Sequence, residues 1–324
     1  MSEPQTRIVF LDAATFGDVA LQSFTDMWHC TVHQVTAPAE TAQRLAGATI
    51  AVTNKVAIDK AIFDAPEACD LKLVAVAATG TDIIDKQTAA ERGVKVCNVP
   101  GYASQSVAQF TLALIVELAS RASSYAAAVK NGEWERSAVF TLLTFPNIEL
   151  SGKKLGIIGY GNIGKTVAKM AAGFGMEILV GARPGGSTPP AGRTPLEELF
   201  RQADFISLHC PLTPVTQSLI NQRTLALMKP SAFLINTARG ALIDELALID
   251  ALRAQRIAGA ALDVITHEPP PADHPIVVAA KELDNLLVTP HTAWSSLEAR
   301  QRLLIEVKEN VVAFTAGRER NLVA

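Results

Sequence analysis

Gly159-Tyr160-Gly161-Asn162-Ile163-Gly164 follows the apolar run KKLGIIG and opens a stretch with helical periodicity. In that setting each glycine has a task. The first allows a tight turn, the second lets backbone N–H groups approach a pyrophosphate, and the third lets a helix pack against the preceding strand, with the anion at the positive helix end. A dinucleotide site for NAD also carries an acid about twenty residues further on, which holds the ribose 2′-hydroxyl. Here the stretch from Ile178 to Leu196 contains no Asp or Glu, and Arg183 stands just past the expected strand end. An acid at that point repels a 2′-phosphate, whereas an arginine pairs with it by charge-assisted hydrogen bonds. The pattern therefore predicts NADP as the preferred cofactor, with NAD as the second choice. A plainer reading, in which Arg183 only stacks on adenine, stays open.

Three later segments, INTARG, DVITHEP and VTPHTAW, bring Arg239, Glu268 and His291 to expected strand ends, where open α/β sheets bind ligands. Reduction of a 2-keto acid needs a cation to grip the carboxylate and polarise the keto oxygen, and an acid to protonate that oxygen as a hydride arrives. Arginine and histidine meet those needs. A carboxylate bonded to the histidine fixes its tautomer and favours its charged form, and Glu268 is the candidate. Taken one at a time, each residue has an ordinary alternative: Arg239 in a loop ion pair, Glu268 as a solvated acid before prolines, His291 as a core histidine. His267, adjoining Glu268, is the rival histidine.

The elements that must position these groups are strands and helices in alternation. RIVFL at 7–11, ATIAV at 48–52, LKLVAVA at 71–77 and VKVCNV at 94–99 alternate with helical patterns. A second series runs through KKLGIIG at 153–159, EILVG at 177–181, DFISLH at 204–209, AFLIN at 232–236, AGAALD at 258–263 and NLLVTP at 285–290. Such alternation predicts parallel sheets covered by helices. Between the series, Val107, Phe110, Leu114 and Leu118 recur at helical spacing, which predicts one long helix from 101 to about 130, stopped by Asn131-Gly132. From Trp294 onward, Leu297, Leu304, Val307, Val311 and Phe314 form one apolar stripe. Because the second series looks closed by its own strands, that last helix is assigned back to the first domain.

A chain of 324 residues is long enough for two ordinary domains, and 49% apolar with 19% charged residues is a globular balance. The net charge of −3 comes without a dense Lys/Arg block, which argues against nucleic acid as a partner. Cys30, Cys69, Cys97 and Cys210 form no CxxC pair, so free thiols and no metal are expected. The start, MSEPQTRIVFLD, has no leader pattern, and the apolar segment Phe110 to Ala119 is broken by Glu117, so a cytoplasmic protein without a membrane span is expected.

Across its whole length the chain resembles the D-isomer-specific 2-hydroxyacid dehydrogenase family. The matching pieces are AATGTDIID at 77–85, NVPGYASQSVAQ at 98–109, GKKLGIIGYGNIG at 152–164, HCPLTPVT at 209–216, INTARGALID at 235–244, ALDVITHEPP at 261–270 and TPHTAWSS at 289–296. The resemblance implies two doubly wound, Rossmann-like parallel-sheet domains with a cleft between them. These are a discontinuous, flavodoxin-like substrate domain (1–100 plus 293–324) and a dinucleotide domain (101–292). It implies that Arg239, Glu268 and His291 are the catalytic trio, and that Arg239 also binds substrate together with backbone amides near Thr79 and Gly80. It further implies cofactor contacts at Gly159, Gly161, Asn162, Ile163, Gly164, Arg183, Pro211, Thr237 and Ala238, with Asp263 on the nicotinamide carboxamide. Thr53-Asn54-Lys55 and GEWERS at 132–137 look most like glycerate dehydrogenases, also called hydroxypyruvate reductases, which adds Asn54 to the substrate set. The family's frequent SVAE stands here as Ser106-Val-Ala-Gln109, a departure with no account. The expected activity is NADPH-preferring reduction of hydroxypyruvate or glyoxylate, by a homodimer formed through the long helix after Gly101. The alternatives are an NAD-linked D-lactate-type dehydrogenase and, because fold alone does not fix function, a cofactor-sensing corepressor-like binding protein.

Overall fold

The computed structural model describes residues 6–186 and 190–324. The first five residues of the expected leaderless start, and Ser187 to Pro189 of the acid-free stretch, lie outside the described residues. The chain divides into two units, Met1–Ala103 with Ser295–Ala324, and Ser104–Trp294.

In the first unit, β1 (Arg7–Phe10), β2 (His29–Val32), β3 (Ile50–Thr53), β4 (Leu73–Val76) and β5 (Lys95–Cys97) pair in parallel, in the order β2-β1-β3-β4-β5. This is the flavodoxin-type winding, whose direction reverses between β1 and β3. β3 and β4 are buried along their whole length, as the unbroken apolar runs of a central parallel strand require. β2 was not foreseen. It lies at the sheet edge with most of its residues exposed, so selection for burial left no apolar run to read. Helix Leu297–Thr315 packs on β4 and buries Leu303, Leu304, Val307 and Val311, whereas Leu297, first in the expected stripe, is 44% exposed. Leu297 is the first residue of that helix, directly after the Ser296 cap, whose hydroxyl accepts from Ala299 N–H at 3.3 Å.

The second unit contains β6 (Lys154–Ile158), β7 (Glu177–Val180), β8 (Phe205–Leu208), β9 (Phe233–Asn236), β10 (Gly259–Leu262) and β11 (Leu286–Val288), all parallel, in the order β11-β10-β9-β8-β6-β7. The winding reverses between β6 and β8, which is where a doubly wound sheet opens a crevice at its carboxyl edge. Helix Ser104–Ser120 packs against helix Asn162–Ala172, burying Leu112, Ile115 and Leu118 with Val167 and Ala171.

The expected single helix to residue 130 is two helices, Ser104–Ser120 and Ala122–Lys130, bent by 61°. Arg121 between them takes left-handed backbone (φ 54). The Glu117 carboxylate accepts from Ser123 N–H at 3.2 and 3.3 Å and from the Ser123 hydroxyl, capping the second helix. Arg121 Nη1 donates to Asp284 O at 2.8 Å. The apolar period runs through the bend, so periodicity alone did not reveal it. Among the described residues no single helix is long and apolar enough to cross a membrane.

Candidate active site

β6 delivers the chain to the glycine motif. Gly159 has φ +98, and a Cβ there would lie 2.3 Å from Cys210 N and 2.4 Å from the His209 carbonyl carbon. Only glycine allows the exits of β6 and β8 to lie flush at this reversal point. A Cβ on Gly164 would lie 2.1 Å from Gly159 O, so the third glycine lets helix Asn162–Ala172 start directly above the turn. Gly161 differs: its backbone is extended and a Cβ would meet nothing within 4 Å. Its position opens onto space at the head of a helix whose first turn has no side-chain cap. Asn162 and Ile163 form the first residues of that helix, and Ile163 packs on the core. This cradle fits a pyrophosphate: among the described residues no side chain caps the helix-end donors, and they face room for a ligand.

Beyond β7, Arg183 is exposed, and among the described residues its guanidinium makes no hydrogen bond or ion pair. The chain then loops out and returns at Thr194, which exchanges backbone hydrogen bonds of 2.8 Å with Val180 and Ala182. The return brings Arg193 to 5.0 Å from the centre of the Tyr160 ring, inside the glycine motif, with Nη1 3.4 Å from Gly181 O. Arg193 was missed, although it is the second basic residue of the same acid-free stretch. Beyond β8, Pro211 is exposed and its carbonyl accepts from the Thr216 hydroxyl at 2.8 Å. The His209 ring nitrogen Nδ1 is sealed from solvent without a partner among the described residues, while Nε2 lies 2.8 Å from Ser207 Oγ. Burial pushes this imidazole down to about 4. The four cysteines are unpaired, and burial pushes Cys97 up to about 12 and Cys210 up to about 11, so neither is a thiolate near neutral pH.

The ends of β9, β10 and β11, adjacent in the sheet, carry Arg239, Glu268 and His291. After β9, Asn236 folds the turn: its Oδ1 accepts from Ala238 N–H at 3.0 Å and its Nδ2 donates to Arg239 O at 2.8 Å. The Thr237 hydroxyl lies 3.0 Å from that of Thr111. After β10, Glu268 Oε1 accepts from Ile265 N–H at 2.9 Å, and Oε2 lies 2.5 Å from His291 Nδ1. Glu268 thus pairs with His291 and not with the exposed His267. His291 itself takes left-handed backbone (φ 50), a strain on the order of 1 kcal/mol, which surrounding structure must hold. Asp263, 1% exposed, provides that hold. Its carbonyl accepts from His291 N–H at 2.8 Å, Oδ1 accepts from Thr289 Oγ1 at 2.6 Å and Thr292 N–H at 2.9 Å, and Oδ2 accepts from Ala293 N–H at 2.9 Å. The resemblance reserved Asp263 for the carboxamide; the side-chain bonds seen here are all to the loop that carries His291.

Asn54, Thr79 and Gly80 belong to the first unit, at the ends of β3 and β4. Thr79 Oγ1 donates to Val99 O at 2.9 Å, and Asn98 Nδ2 donates to Thr79 O at 2.7 Å. Asn54 is 3% exposed, and its Nδ2 has no partner among the described residues. Its backbone N–H is held at 2.9 Å by Asp12, which also accepts from Lys55 N–H at 2.5 Å. Asp12 escaped notice in the sequence because its partners are backbone groups more than forty residues away. Among the described residues no cluster of three His, Cys, Asp or Glu side chains is placed to hold a metal.

Residues 112–293 match the family model described as D-isomer specific 2-hydroxyacid dehydrogenase, NAD binding domain. A glycerate dehydrogenase of Methylorubrum extorquens is 41% identical over 98% of this chain and 98% of its own. A hydroxypyruvate reductase of Blautia hydrogenotrophica is 35% identical over 98% of this chain and 99% of its own. Among solved structures, an acyclic imino acid reductase in complex with NADPH and D-Arg is 29% identical, covers 98% of this chain and 100% of its own, and superposes with a TM-score of 0.83.

Proposed function

Because the chain belongs to the D-isomer specific 2-hydroxyacid dehydrogenase family, and is thus a nicotinamide-dependent oxidoreductase, we propose that it reduces hydroxypyruvate or glyoxylate with NADPH as the preferred cofactor. The observation that carries the chemistry is the 2.5 Å contact between His291 Nδ1 and Glu268 Oε2 at adjacent strand ends. When bound, the reduced nicotinamide supplies a hydride to the keto carbon. Arg239 grips the substrate carboxylate through the forked donors of its guanidinium. His291 delivers a proton from Nε2 to the keto oxygen, while Glu268 fixes the Nδ1–H tautomer and stabilises the positive ring. Asp263 keeps the His291 loop in its left-handed turn. The same reading gives the substrate carboxylate to the backbone amides around Thr79 and Gly80 as well, with Asn54 in the substrate set.

NADPH preference is supported by the acid-free strand exit, the exposed Arg183 and the neighbouring Arg193, with Gly159, Gly161, Asn162, Ile163 and Gly164 cradling the pyrophosphate and Pro211, Thr237 and Ala238 lining the remaining length. The substrate class is supported by the names of the relatives, one a glycerate dehydrogenase and one a hydroxypyruvate reductase. A homodimer belongs to the same reading, since Trp134, Phe140 and Leu143 are apolar and exposed on one segment, and sedimentation velocity tests it. The deciding assay is a spectrophotometric screen of hydroxypyruvate, glyoxylate and pyruvate, each with NADPH and NADH. The highest kcat/KM is expected for NADPH with hydroxypyruvate or glyoxylate. Fastest turnover of pyruvate with NADH would make the protein a D-lactate-type dehydrogenase instead.

A further inference from the structure

The loop that carries Glu268 is fastened by a side chain from another element. Glu245 is the first residue of helix Glu245–Arg253, where an acid ordinarily sits in solvent and complements the helix dipole. Here its side chain is only 11% exposed. Oε1 accepts from Thr266 N–H at 2.7 Å, and Oε2 accepts from the Thr266 hydroxyl at 2.9 Å. The next amide back along the chain, that of Ile265, is bonded by Glu268 itself. Two carboxylates therefore hold two consecutive N–H groups, and one of the two is the partner of His291. The Arg239 turn closes on the same peptide: a Cβ on Gly240 would lie 2.0 Å from the Ile265 carbonyl carbon and 2.4 Å from Thr266 N. His274, 6% exposed, adds Nε2 at 3.5 Å from both Glu245 Oε2 and Thr266 Oγ1. The helix cap does not need Glu245, because Asp244 already accepts from Ala247 N–H at 3.1 Å.

We propose that Glu245 is a positioning residue for the Glu268–His291 pair: by gripping Thr266 it sets the place from which Glu268 reaches the imidazole. The inference rests on the reading of that pair as the proton-delivering device. The Arg239 turn also has a fastening of its own, from Asn236 Nδ2 to the Arg239 carbonyl at 2.8 Å, so loss of Glu245 acts on proton delivery more than on substrate binding. The titratable groups on the segments framing the pair are Arg239, Asp263, Glu245, His267 and His274.

The test compares Glu245→Ala, Glu245→Gln, Glu268→Gln and the double variant Glu245→Ala/Glu268→Gln in the full chain. Glu245→Ala is expected to lower kcat about tenfold, to leave KM for the keto acid within about twofold, and to lower the pH above which reduction fails, as Glu268→Gln does. Glu245→Gln retains an acceptor for the Thr266 amide and recovers most of the rate. In the Glu268→Gln background, Glu245→Ala adds less than about a twofold further loss, because both changes act through one contact. If Glu245→Ala does not fold, Thr266→Val removes the hydroxyl bond alone, and a smaller change in the same direction is expected. Independent, multiplicative losses in the double variant, or a pH profile unmoved by Glu245→Ala or Thr266→Val, would overturn the inference. If Glu268→Gln itself leaves the profile unmoved, the proton-delivery reading falls and the inference with it. If Glu268→Gln moves it and Glu245→Ala does not, only the inference falls.

Discussion

The two sheets share one winding over their first five strands, β2-β1-β3-β4-β5 in one unit and β7-β6-β8-β9-β10 in the other, yet their reversal points are built differently. Between β1 and β3 the crevice is closed by a side chain: the buried Asp12 carboxylate lies on the amides of Asn54 and Lys55. Burial raises the Asp12 carboxyl above its ordinary value, and the amide hydrogen bonds pull it back. Between β6 and β8 the same place holds three glycines, two of which admit no Cβ while the third faces open space. At the first crevice the backbone amides of Asn54 and Lys55 already hold the protein's own anion, whereas at the second the helix end faces open space. Topology offers a crevice in both units, and side chains decide which one receives a phosphate.

The largest expected effect comes from filling the open crevice. Gly161→Val places a side chain where no atom of the described residues lies within 4 Å of its Cβ, so the unfolding midpoint should stay within a few degrees while the Kd for NADPH, read by fluorescence titration, rises about a hundredfold or more. A large loss of stability with unchanged affinity would mean that the space is not the pyrophosphate's. Next is Arg183→Ala, which removes a charged partner worth about 1.5–3 kcal/mol and should lower the NADPH-to-NADH preference about ten- to a hundredfold. Equal weakening of both cofactors would instead point to stacking on adenine.

The sealed imidazole of His209, beside the open crevice, gives a pH effect. Its folded value of about 4 lies below the unfolded value of 6.5, so the unfolded chain binds the extra proton, and stability is lost as pH falls from 6.5 toward 4. At pH 5 this amounts to about 2 kcal/mol. His209→Asn should flatten the fall in unfolding free energy between pH 7 and pH 5 by that amount, and an unchanged slope would remove His209 as the cause. The closed crevice gives the smallest effect on function. Asp12→Ala strands two amides, so it should lower stability by about 1–3 kcal/mol in denaturant titrations and leave the Kd for NADPH where it was. A matching loss of cofactor affinity would contradict the division of labour between the two reversal points.

Legibility in the sequence followed the same physical lines. The four central strands of the second unit, β6, β8, β9 and β10, were readable because such strands are buried on both faces and become apolar runs, the edge strands β7 and β11 were readable because EILV and LLV are apolar although only partly buried, and the glycine motif was readable because its spacing and its place after a strand act together. Arg239, Glu268 and His291 stood out by residue type at strand ends. β2 was hidden by its exposure at an edge, and the bend at Arg121 by an apolar period that continues across it. Asp12, Glu245 and Asp263 do their work on backbone amides brought close only by folding. No local pattern distinguishes such a carboxylate from one in solvent.

The most direct measurement of the central claim, that Glu268 and His291 deliver the proton in keto-acid reduction, is the pH dependence of kcat/KM for the parent and for Glu268→Gln. The 2.5 Å contact puts a negative charge beside the imidazole, and the amide keeps the shape while removing the charge. The alkaline fall in reduction is expected to move to lower pH in Glu268→Gln, because the protonated ring has lost its counter-charge. Superimposable profiles for the two proteins would contradict that claim.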